Sequence, residues 1–270
     1  MQVNVSLIIT TYNWPEALGA VLDTVAKQNL LPLEVVIADD GSTDATRRLI
    51  EHYQQNFPCP ILHIWHHDHG YQAAKIRNKA VAKAKGNYLV FIDSDCLMRP
   101  DFIAQHSRLA RPGYFVAGNR VLLSEQYTDR VLADAIDVTT IRPFDFSKAQ
   151  LNRRWSLLPL PLGWFRLTRP DTWKGVKACN MSMYTSDFLA ANGFEEEFEG
   201  WGYEDSDLII RLLKNGVKRI SGRFAVTVLH LWHATNKNLL EEGNWRRLQE
   251  TLHSSRKKAN QGIDQHTNSL

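Results

Sequence analysis

Short apolar runs rich in β-branched residues alternate, along the first third of the chain, with segments whose apolar side chains recur at helical spacing. The apolar runs predict strands at residues 5–10, 33–38, 61–65 and 88–92. The segments between them predict helices, the first of which has Pro15 in its first turn. Because these elements follow one another through short connections, we expect an α/β fold with a parallel sheet and right-handed crossovers.

The predicted strand at residues 88–92 leads directly into Asp93, Ser94 and Asp95. Its apolar run does not alternate with polar residues, which indicates a strand buried on both faces. The two carboxylates therefore lie at or just beyond the carboxyl end of the strand, where open parallel sheets bind ligands. Carboxylates at this spacing can hold a divalent cation and a sugar hydroxyl together. An acidic turn without a ligand is the alternative.

Two other predicted strands also end in polar residues, at Thr10-Thr11-Tyr12-Asn13 and at Asp39-Asp40-Gly41-Ser42. The carboxyl ends of parallel strands lie along one edge of a sheet. The sequence therefore predicts that three polar strand ends meet in a single ligand site.

The pattern is less regular beyond residue 100. Residues 116–122 and 224–229 predict two further strands, whereas residues 126–176 follow neither period and are interpreted as an insertion beside the site. A lid or acceptor-binding loop, a membrane-contact segment and packing under a loop all remain open for it. The arginines that would face lipid headgroups in the second case are Arg142, Arg153, Arg154, Arg166 and Arg169. Residues 254–270 are polar and predict a flexible tail.

Composition narrows the class of protein only slightly. A net charge of +3, with 44% hydrophobic and 23% charged residues, is ordinary for a globular enzyme and gives no argument for a nucleic-acid partner. The three isolated cysteines indicate a reducing compartment. Neither a signal-peptide pattern nor a long uncharged apolar window is present, so we expect a cytoplasmic protein.

The ordered motifs resemble those of the family 2 glycosyltransferases of the GT-A fold, including Gly86-Asn87-Tyr88 before Asp93-Ser94-Asp95. A second block, Gly193-Phe194 through Gly200-Trp201-Gly202-Tyr203-Glu204-Asp205, resembles the C-terminal part of β-1,4-galactosyltransferases and of bacterial chondroitin-type polymerases. The resemblance implies a Rossmann-like, mostly parallel central sheet flanked by helices. Residues 1–125 would bind the nucleotide-sugar, and residues 126–253 would form a smaller acceptor-binding and catalytic part.

The same resemblance implies roles for residues at the strand ends. Asp40 would accept a hydrogen bond from the N3–H of uracil, and Asp93 would bind the ribose. Thr10 and Tyr12 belong to the same donor-binding set. Arg77 would face the donor diphosphate, with a solvated charge on a helix as its alternative.

A metal site is implied as well. Asp95 corresponds to the metal ligand of the family, and His233 to the histidine that completes the metal shell in the galactosyltransferase-like relatives. His230 matches a second ligand position, for which a core or outer-shell histidine is the alternative. Oxygen ligands favour Mn2+ or Mg2+ over zinc, and a neutral imidazole favours Mn2+. A histidine cluster without nearby cysteines or an HExxH helix is interpreted as a polar loop rather than a zinc site. Its members are His63, His66, His67 and His69.

The glycine-rich loop before the predicted helix at residues 206–213 completes the implied site. Asp205 aligns with the catalytic base that deprotonates the acceptor hydroxyl, and Glu204 with a residue that binds sugar hydroxyls. Trp201 offers a flat apolar face to a sugar, Gly202 allows the backbone to approach it, and Asn180 would lie near the donor sugar. Acids that only stabilise a helix N-terminus are the alternative, although three of them exceed what capping requires.

Together these features predict a metal-dependent, inverting glycosyltransferase that uses a nucleotide-sugar, UDP-linked by the resemblance. Its acceptor would be a glycan or a lipid-linked glycan in bacterial surface polysaccharide or lipopolysaccharide synthesis, with peripheral contact to the inner face of the membrane. A sugar nucleotidyltransferase or a non-catalytic carbohydrate-binding protein of the same fold is the alternative.

Overall fold

The computed structural model describes residues 2–133, 137, 151–234 and 241–267. Its strands in chain order are β1 (Val5–Thr11), β2 (Glu34–Asp39), β3 (Ile61–Trp65), β4 (Tyr88–Asp93), β5 (Cys96–Leu97), β6 (Tyr114–Ala117), β7 (Asn119–Leu122), β8 (Asn180–Tyr184), β9 (Lys218–Ser221) and β10 (Thr227–His230). Its helices are α1 (Pro15–Ala26), α2 (Asp44–Gln54), α3 (Ala73–Lys83), α4 (Phe102–Leu109), α5 (Glu125–Leu132), α6 (Thr185–Ala190), α7 (Glu204–Lys214), α8 (Glu241–His253) and α9 (Asp264–Thr267).

The larger sheet of the described residues has the order β3-β2-β1-β4-β8-β6-β9. Its first four strands are parallel, as the strand–helix alternation predicts, while β8 runs antiparallel to both β4 and β6. Thr10 pairs with Asp93, and Thr11 pairs with Asp39. This register brings the three polar strand ends together at one edge, and the predicted mostly parallel α/β sheet is confirmed.

Both faces of the central strands are buried. Leu7 and Ile9 belong to the apolar cluster that includes α1, whereas Ile8 between them belongs to the cluster that includes α3. A strand covered on both faces cannot use polar residues in its middle, which explains its continuous apolar run. In β1, β2 and β4 the polar side chains lie at or next to the strand ends, and the site lies at their carboxyl ends.

The strand predicted at residues 116–122 is divided at Gly118 between two sheets. β6 joins the large sheet, whereas β7 joins a second sheet of the described residues with the order β5-β10-β7. A Cβ at Gly118 would lie 2.2 Å from the side chain of Asn180. Only glycine allows the backbone to pass this side chain, and the chain changes sheet there. In the second sheet His230 pairs with Cys96, and this pairing brings the end of β10 beside Asp95.

The segment expected to be a flexible tail is packed through residue 267. Ala259 and Ile263 are buried, and the Arg256 guanidinium donates to Glu195 at 2.7 Å and to Asp207 at 3.0 Å. A few separate anchors hold this segment rather than a continuous apolar face, so the sequence has no periodic signal for it.

The insertion expected at residues 126–176 is described in part. It contains most of α5 and two 3-10 helices, Arg154–Leu157 and Gly163–Leu167. Arg142, named above for a lipid contact, lies outside the described residues. Among the described residues, no helix combines the length and the apolar character that crossing a membrane requires.

Candidate active site

A buried arginine connects the strand ends to the helix that carries the predicted catalytic acids. Arg77, on α3, donates from Nε to Thr10 Oγ1 at 2.9 Å, from Nη2 to Asp93 Oδ1 at 3.0 Å and from Nη1 to Glu204 Oε1 at 3.1 Å. Burial opposes its charge, but the carboxylates of Asp93 and Glu204 raise the pKa of Arg77 above its usual value. The guanidinium is therefore a fixed cation that holds β1, β4 and α7 in one arrangement.

A cavity of about 200 Å³ opens beside this arginine. Six of the residues predicted for the site line it, which are Arg77, Asp93, Trp201, Gly202, Glu204 and Asp205. The residues of its lining that the sequence interpretation did not single out are Tyr71, Arg120, Lys177, Ala178, Cys179 and Tyr203. No motif surrounds Arg120 or Lys177, so only their position in the fold reveals them. These two cations, with Arg77, balance the three carboxylates of the lining, which are Asp93, Glu204 and Asp205.

Two acids of the cavity, Glu204 and Asp205, stand at the N-terminus of α7. Asp205 Oδ1 accepts hydrogen bonds from the Ser206 backbone at 2.6 Å and the Ser206 hydroxyl at 3.1 Å. Its Oδ2 accepts from the Ala178 backbone at 3.3 Å and lies 3.9 Å from the Lys177 ammonium. Burial, and then the charge of Asp205, raises the pKa of Glu204. The helix dipole stabilises negative charge at this position.

The loop that leads into α7 has a backbone that depends on glycine. Gly202 has a φ of 110°, which L side chains rarely adopt, and the loop passes along the cavity. Tyr203 follows with a left-handed φ of 72°, which is uncommon outside glycine. The loop thus places Glu204 and Asp205 at the cavity through a tightly constrained turn.

The predicted metal ligands meet at the carboxylate of Asp95. His230 Nε2 lies 3.3 Å and His233 Nε2 lies 3.2 Å from Asp95 Oδ2. Donors that are neighbours around one ion, each about 2.0–2.3 Å from it, lie about 3 Å apart. On the far side of each ring, Nδ1 contacts a backbone carbonyl, at 2.7 Å for His230 and 3.3 Å for His233. A ring that donates from Nδ1 to a carbonyl presents a free lone pair at Nε2, as histidine metal ligands do.

These donors fit a divalent ion better than the neighbouring thiol does. Asp95, Cys96 and His230 offer ligand atoms within 4.8 Å of one another. Burial raises the pKa of the Cys96 thiol well above its usual value, so the sulfur is not a ready thiolate ligand. Although burial opposes its charge, the contacts with His233 and His230 lower the pKa of Asp95. The set of one carboxylate and two imidazoles is compatible with Mn2+ and with the other divalent ions that accept nitrogen.

The residues predicted to bind the nucleotide lie at the ends of β1 and β2. Both oxygens of the buried Asp40 carboxylate already accept hydrogen bonds, from His66 Nε2 at 2.7 Å and from the Gln72 backbone at 2.9 Å. The Tyr12 ring is half exposed, and its hydroxyl donates to Asp68 at 2.9 Å. A carboxylate has lone pairs for a further donor, so the geometry leaves the Asp40 prediction open.

Asn180 is placed differently from the other predicted residues. It is buried and outside the lining of the cavity, and its amide nitrogen donates to the backbone oxygens of Asn119 at 3.0 Å and Val226 at 2.6 Å. These bonds join β8 to β7 and to the loop before β10. The position is that of a structural tie beneath the site, and the contact of Asn180 with the donor sugar stays a prediction.

Comparison with known proteins identifies the family and agrees with the fold. Residues 6–173 match the glycosyl transferase family 2 model, and residues 166–233 match that of the N-terminal domain of galactosyltransferase. A validoxylamine A glucosyltransferase of Streptomyces hygroscopicus subsp. limoneus is 30% identical over 234 residues, which cover 78% of this chain and 48% of the relative. Chondroitin synthase of Pasteurella multocida is 27% identical over 229 residues, covering 79% of this chain and 23% of that protein.

The chain thus spans about half of the length of the first relative and about a quarter of the second. Among solved structures, GalNAc-T7 with UDP, GalNAc and Mn2+ is similar, with a TM-score of 0.63 and 16% identity over 92% of this chain and 48% of that one. At this identity the likeness concerns the fold alone, and it agrees with the GT-A architecture. The family match covers more than half of the chain, and the protein therefore belongs to glycosyl transferase family 2.

Proposed function

We propose that the protein is a metal-dependent, inverting glycosyltransferase that moves a sugar from a UDP-linked donor to a hydroxyl of a glycan or lipid-linked glycan. One observation carries the proposal. One cavity is lined by Asp205, the candidate base, and by Asp93 and Glu204. Arg77 donates hydrogen bonds to both Asp93 and Glu204 and so holds them together on the donor side of the cavity. The acceptor hydroxyl and the donor sugar would meet in this cavity.

In this proposal the donor is held by fixed charges. Asp93 binds the ribose, Asp40 the uracil, and Thr10 and Tyr12 flank the nucleotide. The metal held by Asp95, His233 and His230 would neutralise the diphosphate as it departs. Arg77, Arg120 and Lys177 add positive charge around the cavity, and preorganised charge of this kind stabilises a developing anion most strongly.

The acceptor side depends on Asp205. Its carboxylate takes the proton of the acceptor hydroxyl while the hydroxyl oxygen bonds to the anomeric carbon and the bond from that carbon to the diphosphate oxygen breaks. Attack from the face opposite the diphosphate inverts the configuration. Glu204 binds sugar hydroxyls, and Trp201, which is half exposed at the cavity, packs against the apolar face of a sugar.

We place this reaction in the synthesis of bacterial surface polysaccharide or lipopolysaccharide, in the cytoplasm, with peripheral contact to the membrane. The similarity to a chondroitin synthase supports a polysaccharide acceptor.

The test combines a donor panel with one variant. The purified protein is incubated with UDP-, GDP- and CMP-sugars, with Mn2+ or with a chelator, and release of the free nucleotide is measured. We expect Mn2+-dependent release from a UDP-sugar. Asp205→Asn keeps the size of the side chain but removes its basicity, so release should fall by about 100-fold or more, while UDP affinity changes little.

Asp129→Asn, an exposed change on α5, is the matched control and should behave like the parent protein. Metal-independent release, or normal turnover in Asp205→Asn, would overturn the assignment. UDP-sugar binding without turnover by any donor would favour the non-catalytic alternative.

A further inference from the structure

The 3-10 helix Gly163–Leu167 has none of its residues buried, although it is firmly attached to the fold. Arg166 donates to the backbone oxygens of Ser221 at 2.7 Å and of Arg223 at 2.9 Å. The chain that follows is tied to β9 as well, since the Arg219 backbone donates to the Pro170 oxygen at 2.8 Å and its guanidinium to the Lys174 oxygen at 3.0 Å. The segment is therefore a fixed surface at the edge of the large sheet.

This fixed surface presents two aromatic rings to solvent. Trp164 is 70% exposed and Phe165 is 55% exposed, and their rings are stacked on each other with centroids 4.0 Å apart. Side chains of this size are rarely left exposed together without a partner, and an apolar patch with a polar rim marks an interaction surface. Because the segment that carries the two rings is bonded to the rest of the fold, the rings are already ordered, and binding a partner costs little conformational entropy.

Basic residues lie on the same segment and on the loop after β9 to which Arg166 is bonded. Arg169, Lys174 and Arg223 are all exposed, and Asp171 is the acid among the exposed residues of the segment 163–177. We call Trp164, Phe165, Arg169, Lys174 and Arg223 the basic aromatic surface. Tryptophan and phenylalanine enter the boundary between headgroups and acyl chains, and arginine and lysine bind anionic headgroups.

We propose that the basic aromatic surface docks the protein on a bilayer that contains anionic phospholipids. A sugar-binding platform would need carboxylate or amide partners for hydroxyl groups, whereas the exposed charged residues of the segment 163–177 are mostly cations. The segment continues along the chain into Lys177 and Ala178, which line the cavity. Docking through this surface would bring the cavity close to headgroups that carry a lipid-linked acceptor.

The experiment measures binding of the full chain to vesicles by flotation. Neutral phosphatidylcholine vesicles are compared with vesicles that contain about one third phosphatidylglycerol, at low and at physiological ionic strength. We expect binding to the anionic vesicles that weakens with salt, with quenching of tryptophan fluorescence by lipids brominated along the acyl chain. This measurement requires no transferase activity, so its failure and the failure of the proposed function are distinguishable.

Two variants test the assignment to this surface. Trp164→Ser with Phe165→Ser should weaken binding by about 10-fold or more and abolish the quenching. Arg169→Gln with Arg223→Gln should weaken it by about 10- to 25-fold at low salt, since each basic residue near an anionic surface contributes about fivefold. Trp245→Ser removes another exposed tryptophan, which lies on α8 and is 45% exposed, and is the matched control.

Folding is checked for each variant by its thermal unfolding midpoint, and binding is compared only between variants with the parent's midpoint. If the aromatic variant unfolds early, Trp164→Tyr with Phe165→Tyr, which retains the rings, should bind as the parent does. Equal binding to neutral and anionic vesicles, or an equal loss in Trp245→Ser, would overturn the proposal. Absence of vesicle binding would overturn it too and would leave a protein partner as the occupant.

Discussion

Replacing Arg77 by methionine tests the central interaction of the site. The Arg77 side chain is 3% exposed and pairs with Glu204, which is 9% exposed, and with Asp93, which is 34% exposed. Methionine fills similar space but leaves both carboxylates without their cation. Removing one partner of a buried pair costs about 3–5 kcal/mol. Because Asp93 is partly solvated, we expect a loss of about 2–4 kcal/mol in the free energy of unfolding.

The loss should depend on pH in a direction that the structure specifies. Burial raises the pKa of both Asp93 and Glu204 in the folded protein, and Arg77 counteracts this in each case. Without Arg77 both values rise further, so the folded state holds protons that the unfolded state has released. Both proteins have the same unfolded-state carboxyls, so the stability of the variant falls relative to the parent as the pH rises above the parent's own folded-state pKa values for Asp93 and Glu204, which are already raised. The deficit should be small at pH 5 and largest at pH 7–8.

The assay is urea unfolding followed by circular dichroism at pH 5.0 and pH 7.5. At pH 7.5 the thermal midpoint should also fall, by about 4–16 °C for this chain length. Arg48→Met, which removes an exposed arginine of α2, controls for the change in net charge and should stay within about 0.5 kcal/mol of the parent. The reasoning on Arg77 would be refuted if the variant lost less than about 1 kcal/mol in the free energy of unfolding at pH 7.5, or if it lost more at pH 5.0 than at pH 7.5.

Two further predictions address the ligand sites. Asp95→Ala removes the carboxylate that both histidines contact, so Mn2+-dependent UDP binding measured by calorimetry should weaken by about 100-fold or more, whereas Asp129→Ala should bind normally. Unchanged affinity in Asp95→Ala would remove the metal assignment. If Asp40 binds uracil, UDP should raise the thermal unfolding midpoint of the protein more than CDP does. Asp40→Asn, whose amide can donate to cytosine, should make the two increases more nearly equal. Equal protection of the parent by both nucleotides would end the uracil role of Asp40.

The sequence determined the central sheet and the position of its ligand edge. Strands buried on both faces require continuous apolar runs, and their polar residues can stand only at the ends, so Thr10, Asp40 and Asp93 were predictable from pattern alone. The local motif around Glu204 and Asp205 is similarly explicit, because a helix that begins after glycines with three acids is unusual. These signals are local, and one strand or one turn is enough to generate each of them.

Only the tertiary structure decided which of these residues meet. Arg77 and Glu204 are 127 positions apart, and His230 reaches Asp95 because β10 pairs with β5. Arg120 and Lys177 in the cavity, the sheet change at Gly118 and the packing of residues 254–267 were missed for the same reason. Each depends on contacts between segments distant in sequence, set by how elements pack, and such contacts leave no periodic trace in the residues that make them.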